Sequence, residues 1–416
     1  MITCGEGPIL YIWKLSNNKE SLDLLNLLET NKPDLLYFDK SINSIYISQK
    51  NEEGILFTGN GDIYYVNINE NKYIKLSSSH VNVEINKIYI DNNDTNIYTL
   101  GKGECIRCWT NDSFDQKYML IKENQKPDNI IYNYKNDILI TQYENSYLTA
   151  FNTKDLKYLG KIYIPNEDIS EFNFIFDNNN LILITFQINI YIISIKNYNP
   201  LSMLYCLVDI PRKSKYFPYE QKCVSITCSN ISTEKSYSAF TFSDGTICLY
   251  HMERTQGKII YNLIDNFNII LLHSKEYNDD NSLELYYNLN NFRSEYKSES
   301  IFSKQYNDVI LCYHELLQAI IIRNYVKKTN IKIINLKYFP YCMSINDNGK
   351  FIAIGTKEGI IAFIDIGEKN YYNNEKYEHS LSLIHYDKVL CLRFTHDSKK
   401  LISSGQNEII ISNINC

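Results

Sequence analysis

The chain has 416 residues, 36 of them tyrosine, and a formal net charge of -6 at pH 7. Its acidic balance is spread along the chain without blocks, which argues against a nucleic-acid or anionic-membrane partner, since such partners ordinarily require a basic face. The 11 cysteines form no regular framework and no secretory signal opens the chain. We therefore expect reduced thiols in a cytoplasmic protein.

One short pattern recurs along the chain: a small or hydroxyl residue, a turn, and then a β-branched or aromatic run. Its clearest copy is 97–110, where residues 101–104 are predicted to form the turn between two strands, because glycine tolerates positive φ. Further copies lie at 2–13, 56–66, 239–250, 351–365 and 401–412. A repeat of about 40–45 residues with this content is typical of a propeller blade.

Taken in chain order, the pattern predicts a series of four-stranded units. Residues 1–15 are predicted to be second and third strands. Later units are expected at 41–76, 83–122, 128–164, 169–209, 222–264, 265–337, 338–384 and 385–416. Residues 274–307 are polar, with charges of both signs, and are predicted to be a long insertion loop. The most apolar stretch, 181–195, is too short to span a membrane and is interpreted as two buried strands.

Three copies, at 88–110, 351–365 and 389–413, resemble the WD40 repeat. In the last of them, His385 precedes the first strand and Asp397 lies in the polar turn before the second strand. This is the order that the WD40 family uses, and the resemblance extends over nearly the whole chain.

The resemblance also implies aromatic blade positions at the ends of third strands. Trp13 and Trp109 occupy this place in two copies, and Tyr250 occupies it in a third. The Trp-Asp pair of the family is not intact in any copy, and no Gly-His pair begins a repeat. The sequence therefore gives no support for the family's buried His–Ser–Asp–Trp hydrogen-bond network.

The fold that this resemblance implies is an all-β, WD40-like propeller of seven or eight four-stranded blades. We expect a single propeller over residues 1–416, with the polar insertion at 274–307. A second interpretation is a piece of a longer multi-propeller chain, cut inside a blade, because the last unit stops after its third strand at Asn413. Closed propellers of this family supply the missing outer strand from the N-terminus, which leaves no open edge.

No constellation of residues indicates catalysis or a bound metal. Cys105 and Cys108 form a Cys-x-x-Cys, but residues three apart in a strand point to opposite faces, so structural cysteines are predicted. Residues 101–103 lack the Ser or Thr and the following helix of a phosphate loop. The seven histidines form no metal-binding pattern. We expect no enzyme, no metal and no cofactor.

The resemblance implies a non-enzymatic scaffold that holds protein partners, with peptide capture on the narrow rim. Four arginines are candidates for interaction, against the alternative of solvated or locally paired side chains: Arg107, Arg254, Arg323 and Arg393. A cytoskeletal protein of centrioles or cilia is one alternative, loosely suggested by 243–250. A nuclear subunit of an RNA-processing or ribosome-assembly complex is another, against which the acidic balance argues.

Overall fold

The computed structural model consists almost entirely of small antiparallel β-sheets. It describes residues 84–101, 106–111, 127–133, 135, 137–143, 147–154, 157–163, 168–176, 178–186, 189–194, 222–277, 296–366, 385–406 and 408–414. At 116–120, 205–208, 380–383 and before residue 83 it describes the strands by their bounds. The chain divides into two compact units, Met1–Asn82 and Val83–Cys416.

Unit 1, Met1–Asn82, contains two described sheets. Sheet 1 consists of β1 Ile2–Cys4, β2 Ile9–Ile12 and β3 Asp34–Tyr37, and sheet 2 consists of β4 Ile42–Ile47, β5 Glu53–Thr58, β6 Ile63–Asn67 and β7 Lys72–Ser77. The strands predicted for 41–76 are thus confirmed. Trp13 lies outside the described residues.

Unit 2, Val83–Cys416, contains seven sheets in the part that the structure describes. Sheets 3 to 5 are β8 Ile85–Ile90, β9 Asn96–Gly101, β10 Ile106–Thr110 and β11 Gln116–Leu120; β12 Pro127–Asn133, β13 Ile138–Tyr143, β14 Tyr147–Asn152 and β15 Tyr158–Tyr163; and β16 Ile169–Ile175, β17 Asn180–Thr185, β18 Ile190–Ser194 and β19 Tyr205–Val208. Sheets 6 and 7 are β20 Cys223–Asn230, β21 Lys235–Phe242, β22 Thr246–Thr255 and β23 Lys258–Asn268; and β24 Ser298–Phe302, β25 Val309–His314, β26 Ala319–Asn324 and β27 Thr329–Asn335. Sheet 8 is β28 Pro340–Ile345, β29 Phe351–Thr356, β30 Ile360–Asp365 and β31 Ser380–Leu383, and the three-stranded sheet 9 is β32 Cys391–Phe394, β33 Lys400–Ser404 and β34 Ile409–Asn413.

Within each sheet, strands that are consecutive in sequence pair antiparallel. A β-bulge recurs near the start of the first strand and adds one residue there, which increases the local twist. The register shifts lie at Ile42/Ser44, Ile85/Lys87, Pro127/Asn129, Ile169/Glu171, Cys223/Ser225 and Pro340/Cys342. The recurring position of the bulge supports the repeat that the sequence pattern predicts.

Apolar side chains join each sheet of unit 2 to the next. Buried clusters connect sheets 3, 4 and 5, then 5 with 6, 6 with 7, 7 with 8, and 8 with 9. A further cluster places Ile88 and Trp109 of sheet 3 against Cys391 and Ile402 of sheet 9. The first strands of sheets 5 and 6 contact each other, and Ser170 Oγ donates to the Cys223 carbonyl between them.

The predicted insertion at 274–307 contains regular structure at both of its ends. Helix α1, Ile269–Tyr277, begins after Asn268, whose side-chain oxygen accepts from the backbone nitrogens of Ile270 (3.0 Å) and Leu271 (3.2 Å) as an N-cap. The other end is strand β24. Its sequence is polar, but its serines are buried and bonded, with Ser298 Oγ donating to the Tyr313 carbonyl at 3.0 Å. Residues 278–295 lie outside the described part.

Candidate interaction surface

The connection that enters sheet 9 is held by a buried histidine. His385 donates its backbone N–H to the Gly359 carbonyl (3.1 Å), and its ring lies 2.7 Å from Glu408 Oε1 and 2.8 Å from Ser403 Oγ. Burial lowers the pKa of His385, against the hydrogen bond and charge of Glu408. Because a carboxylate only accepts, Nδ1–H of the neutral ring donates to Glu408 and Nε2 accepts from Ser403.

Gly359 permits the close approach of this connection to sheet 8. Its φ is +78°, and a Cβ added there would lie 2.8 Å from the Asp387 carbonyl oxygen and closer still to that of His385. No other residue fits both the backbone conformation and the available space. The backbone on either side of position 386 is therefore fixed by packing.

Tyr386 projects from this fixed connection and is fully exposed to solvent. Its backbone nitrogen donates to Glu408 Oε1 at 3.4 Å, while His385 beside it is buried. A tyrosine ring carries a large apolar area and few rotatable bonds, so an exposed ring on a rigid backbone is well suited to anchor a partner.

Four residues of sheets 8 and 9 beside this connection are exposed or half-buried, and the nitrogen of Val389 donates to the Thr356 carbonyl where the connection meets the sheet 8 turn. Phe339 is also exposed, and its carbonyl accepts from the backbone nitrogen of Lys357, whose Nζ lies 5.9 Å from the Phe339 ring centroid. Lys388 Nζ lies 5.4 Å from the ring centroid of Tyr341. We name Phe339, Tyr341, Lys357, Tyr386 and Lys388 the Tyr386 surface.

Two ammonium groups lie near the Tyr341 ring. Lys297 Nζ is 4.4 Å from the Tyr341 ring centroid, closer than Lys388 Nζ, and it donates to the Leu390 carbonyl at 3.1 Å. Burial lowers the pKa of Lys297, but the charge of Glu299, whose Oε1 lies 3.6 Å from Nζ, contributes to a net increase. Lys297 thus remains charged, with the Glu299 carboxylate and the Leu390 carbonyl as its partners.

Charged side chains on the first strands of three sheets balance one another. Burial lowers the pKa of Lys87 in sheet 3. The charges of Glu171 in sheet 5 and Glu299 in sheet 7 act in the opposite direction, and the net effect is a raised pKa. Asn129 Nδ2 donates to Glu171 Oε1 at 3.2 Å. Since the opposite charges compensate, we interpret this group as structural support.

The predicted blade positions that the structure describes are buried or form turns. Trp109 is buried, and its Nε1 donates to Thr99 Oγ1 at 2.8 Å. Tyr250 is buried with its ring centroid 5.8 Å from that of Phe240. Asp397 caps its own turn by accepting from Thr395 Oγ1 (2.6 Å) and from the backbone nitrogen of Lys399 (2.9 Å).

Side-chain hydrogen bonds that the sequence did not predict are present in sheets 9 and 3. Sheet 9 contains the His385–Ser403 bond with Glu408 as the acid, and sheet 3 contains the Trp109–Thr99 bond. Sequence reasoning missed Glu408. The available signal was an acidic residue in the turn between the second and third strands, on the same sheet as the predicted structural histidine.

Arg323, one of the four candidate arginines, connects sheets 6 and 7 in the interior. Its Nε donates to Asp265 Oδ2 at 2.8 Å, its Nη1 donates to Asn330 Oδ1 at 2.9 Å, and its guanidinium lies over the Phe267 ring. Both members of the ion pair are buried. The arrangement satisfies the guanidinium within the protein and leaves it no free face for a partner.

The other three candidate arginines lie in different places. Arg107 is buried, and Arg393 is half-buried with Nε donating to the Ile88 carbonyl at 3.2 Å and its guanidinium 5.2 Å from the Tyr89 ring. Arg254 is half-buried near the end of β22. The structure does not bring the four together into one site.

The described cysteines are free thiols, and Cys108 of the Cys-x-x-Cys is buried, whereas Cys105 lies outside the described residues. The described residues contain no group of three or more side chains suited to hold a metal ion. They also contain no helix that is both long enough and apolar enough to cross a membrane.

No protein-family model matches the chain, and comparison with curated proteins finds no similar sequence.

Proposed function

We propose that unit 2 is a seven-bladed, WD40-like propeller in which sheet 9 completes a ring by packing on sheet 3. The contacts between these two sheets support the proposal. Ser404 Oγ donates to the Ile85 carbonyl at 2.7 Å, and the Asp94 carboxylate accepts from the backbone nitrogens of His396 (2.8 Å) and Asp397 (2.9 Å). The histidine and tryptophan hydrogen bonds of sheets 9 and 3 support the likeness to WD40 blades.

The function that fits this architecture is a non-enzymatic scaffold that binds protein partners through the Tyr386 surface. The observation that carries this proposal is the fully exposed Tyr386 ring on a connection fixed by His385 and Gly359. A rigid aromatic anchor loses little conformational entropy on binding. The adjacent lysines favour a partner that presents acidic or aromatic groups.

Affinity purification of the tagged chain from its own cells, followed by mass spectrometry, tests the proposal. Proteins captured by the wild type should be lost with Tyr386→Ser and retained with the matched control Tyr158→Ser, which removes an exposed tyrosine from β15 of sheet 4. Both variants should melt as the wild type does. A set of partners that is identical for all three chains would contradict the proposed use of this surface.

The captured proteins also distinguish the kinds of complex that the scaffold serves. Tubulin-associated or basal-body proteins would favour a cytoskeletal scaffold, and RNA-processing or ribosome-assembly factors would favour a nuclear one. A set of other cytoplasmic subunits would support a general scaffold. The acidic net charge favours the protein-binding alternatives over direct contact with RNA.

A further inference from the structure

Sheet 6 is longer than the other sheets of unit 2. Its four strands contain 8, 8, 10 and 11 residues, whereas the other described strands of the unit contain at most 7. The additional residues lie at the end of the sheet that carries the turns 231–234 and 256–257. This is the end where the first strand β20 finishes, whereas Tyr386 lies at the end where the first strand β32 begins.

The additional length exposes one row of side chains on the face that points toward sheet 7. Lys235 pairs with Glu253, which pairs with Ile260, and the nitrogen of Ile231 donates to the Lys235 carbonyl. Residues directly opposite one another in antiparallel strands share a face, so these four side chains form one row. The ion pair of 3.5 Å between Lys235 Nζ and Glu253 Oε1 confirms that they do.

An aromatic stack marks where sheet 7 stops covering this face. One row inward, the ring centroids of Tyr237 and His251 are 4.7 Å apart, and Tyr237 lies 5.4 Å from Tyr325 of sheet 7. Beyond Tyr325, the chain of sheet 7 turns at Val326 toward Lys328. The outer row of sheet 6 therefore extends past sheet 7 and forms a ledge above this turn.

The ledge is both apolar and basic, and we define it as Ile231, Lys235, Glu253, Ile260 and Val326. Ile231 is 49% exposed, Ile260 is 48% exposed and Val326 is 58% exposed, and these three are the exposed large aliphatic residues of the part of the chain that the structure describes. The charged residues on and beside the ledge are Lys235, Lys258, Lys327 and Lys328 against Glu234, Glu253 and Asp308. Basic groups thus predominate locally on a chain whose net charge is -6.

We infer that the ledge is a second docking surface, and that its occupant is an acidic segment of a partner protein that carries aliphatic side chains. The exposed isoleucines and valine provide apolar contacts, and the surrounding lysines attract and orient an acidic segment. The ledge and the Tyr386 surface lie at opposite ends of the sheets. The chain can therefore hold two partners at once without competition between them.

The test uses the full chain and two fluorescein-labelled peptides, one of alternating glutamate and leucine and one of alternating lysine and leucine, followed by fluorescence anisotropy. The acidic peptide should bind at least about tenfold more tightly than the basic one. Its affinity should fall by about tenfold or more in Ile260→Ser and in the double variant Lys258→Glu, Lys327→Glu.

Two matched controls should bind as the wild type does: Tyr158→Ser, which removes an exposed apolar side chain from sheet 4, and Lys350→Glu, which reverses an exposed charge in a turn of sheet 8. Equal binding of both peptides, or full acidic-peptide affinity in the ledge variants, would overturn the inference. Self-association lost in Ile260→Ser would assign the ledge to a second copy of the chain. Binding of phosphatidylserine vesicles without peptide binding would assign it to a membrane, and either result would overturn an acidic protein segment.

Discussion

At the scale of single residues, Trp109 combines a large buried ring with one hydrogen bond. Trp109→Ala should lower the free energy of unfolding by about 3–5 kcal/mol, because it leaves a cavity between sheets 3 and 9. Trp109→Phe keeps most of the apolar contact but removes the donor to Thr99, and should cost about 1–2 kcal/mol. Urea unfolding measures both, and a melting temperature unchanged by Trp109→Ala would contradict the packing.

Two glycines with nearly equal φ provide a comparison between backbone conformation and close packing. Gly257, with φ +79°, has open space where a Cβ would lie, so Gly257→Ala should cost about 1–2 kcal/mol from the left-handed backbone alone. Gly359→Ala carries the same penalty and also overlaps the His385 and Asp387 carbonyls, which should add roughly 1–3 kcal/mol.

The same pair tests whether Gly359 positions Tyr386. Gly359→Ala should also weaken capture of partners that depend on Tyr386, whereas Gly257→Ala should not. Thermal unfolding and affinity capture give the two measurements. Equal stability losses in the two variants would show that the connection at His385 shifts to accommodate a methyl group.

Sequence reasoning predicted a structural role for several residues but not the residues to which they are hydrogen-bonded. His385 was predicted as a structural position because it precedes the first strand of the last copy, in the order of the WD40 repeat that the sequence resembles. Trp109 was predicted because an aromatic residue recurs at the end of third strands. The bond from His385 to Glu408 was not predicted, since it depends on how the turn between β33 and β34 folds back. Arg323 was treated as a surface candidate because its partner Asp265 is 58 residues away and belongs to another sheet.

At the scale of elements, a charged link connects the first turns of sheets 7, 8 and 9. Asp347 accepts from Lys304, and its Oδ2 lies 2.8 Å from His396 Nδ1. The hydrogen bond to Asp347 raises the pKa of His396. Burial alone would raise the pKa of Asp347, but its bonds to His396 and Lys304 outweigh burial and lower that pKa to about 2. The link therefore requires a protonated histidine and an ionised aspartate.

The stability from this link should depend on pH in a defined direction. The stability that comes from a raised histidine pKa is fully present below the unfolded-state pKa of about 6.5 and is lost as the pH rises through the folded-state pKa. The stability that comes from the lowered pKa of Asp347 is present above about pH 3.9 and is lost as the pH falls toward 2. The difference in unfolding free energy between the wild type and His396→Gln should thus be largest near about pH 5, between these two pKa values, and smaller above about pH 8.

Urea unfolding at the two pH values measures this difference, and Asp347→Asn should remove the same pH dependence. Because both side chains are partly exposed, the effect should be modest and should weaken in high salt. A difference that is the same at both pH values would show that the pair does not form in solution.

Most strands could be predicted because each contains an apolar or aromatic run bounded by turn residues. Strands such as Val309–His314 lie within units in which the sequence predicted strands. Strand β24 could not be predicted, because its buried serines are required by close contact with β25 and with Thr241 and not by any local pattern. The length of sheet 6 was also missed, since hydroxyl and charged residues occupy its additional rows.

At the scale of the whole molecule, sequence repeats predict the sheets but not which sheets that are distant in sequence contact one another. Each repeat has the same inward and outward pattern, so the pattern contains no information about which sheet follows the last one. The contact of sheet 9 with sheet 3 depends on particular pairs such as Ser404 with Ile85. In an open array the terminal sheets would open first, whereas in a ring they are as protected as the others.

Asp94 offers a direct test of that contact. Its carboxylate in the first turn of sheet 3 accepts from two backbone nitrogens of sheet 9, so Asp94→Asn should replace one acceptor with a donor and cost about 1.5–3 kcal/mol. Asparagine also tolerates the φ of 54° at this position, which isolates the lost bond from backbone strain. Amide hydrogen exchange should accelerate in β9 and β33 together.

The matched control is Asp137→Asn, in the corresponding turn of sheet 4, where φ is 53° and the carboxylate bonds to Tyr132 and Lys154 of its own sheet. It should leave exchange in β33 as slow as in the wild type. If Asp94→Asn accelerates exchange in β9 alone, sheet 9 does not depend on sheet 3 and the ring is open at this point. Acceleration in both, absent from the control, is the result that a closed ring requires, because only then does the loss of one contact release two sheets that are far apart in sequence.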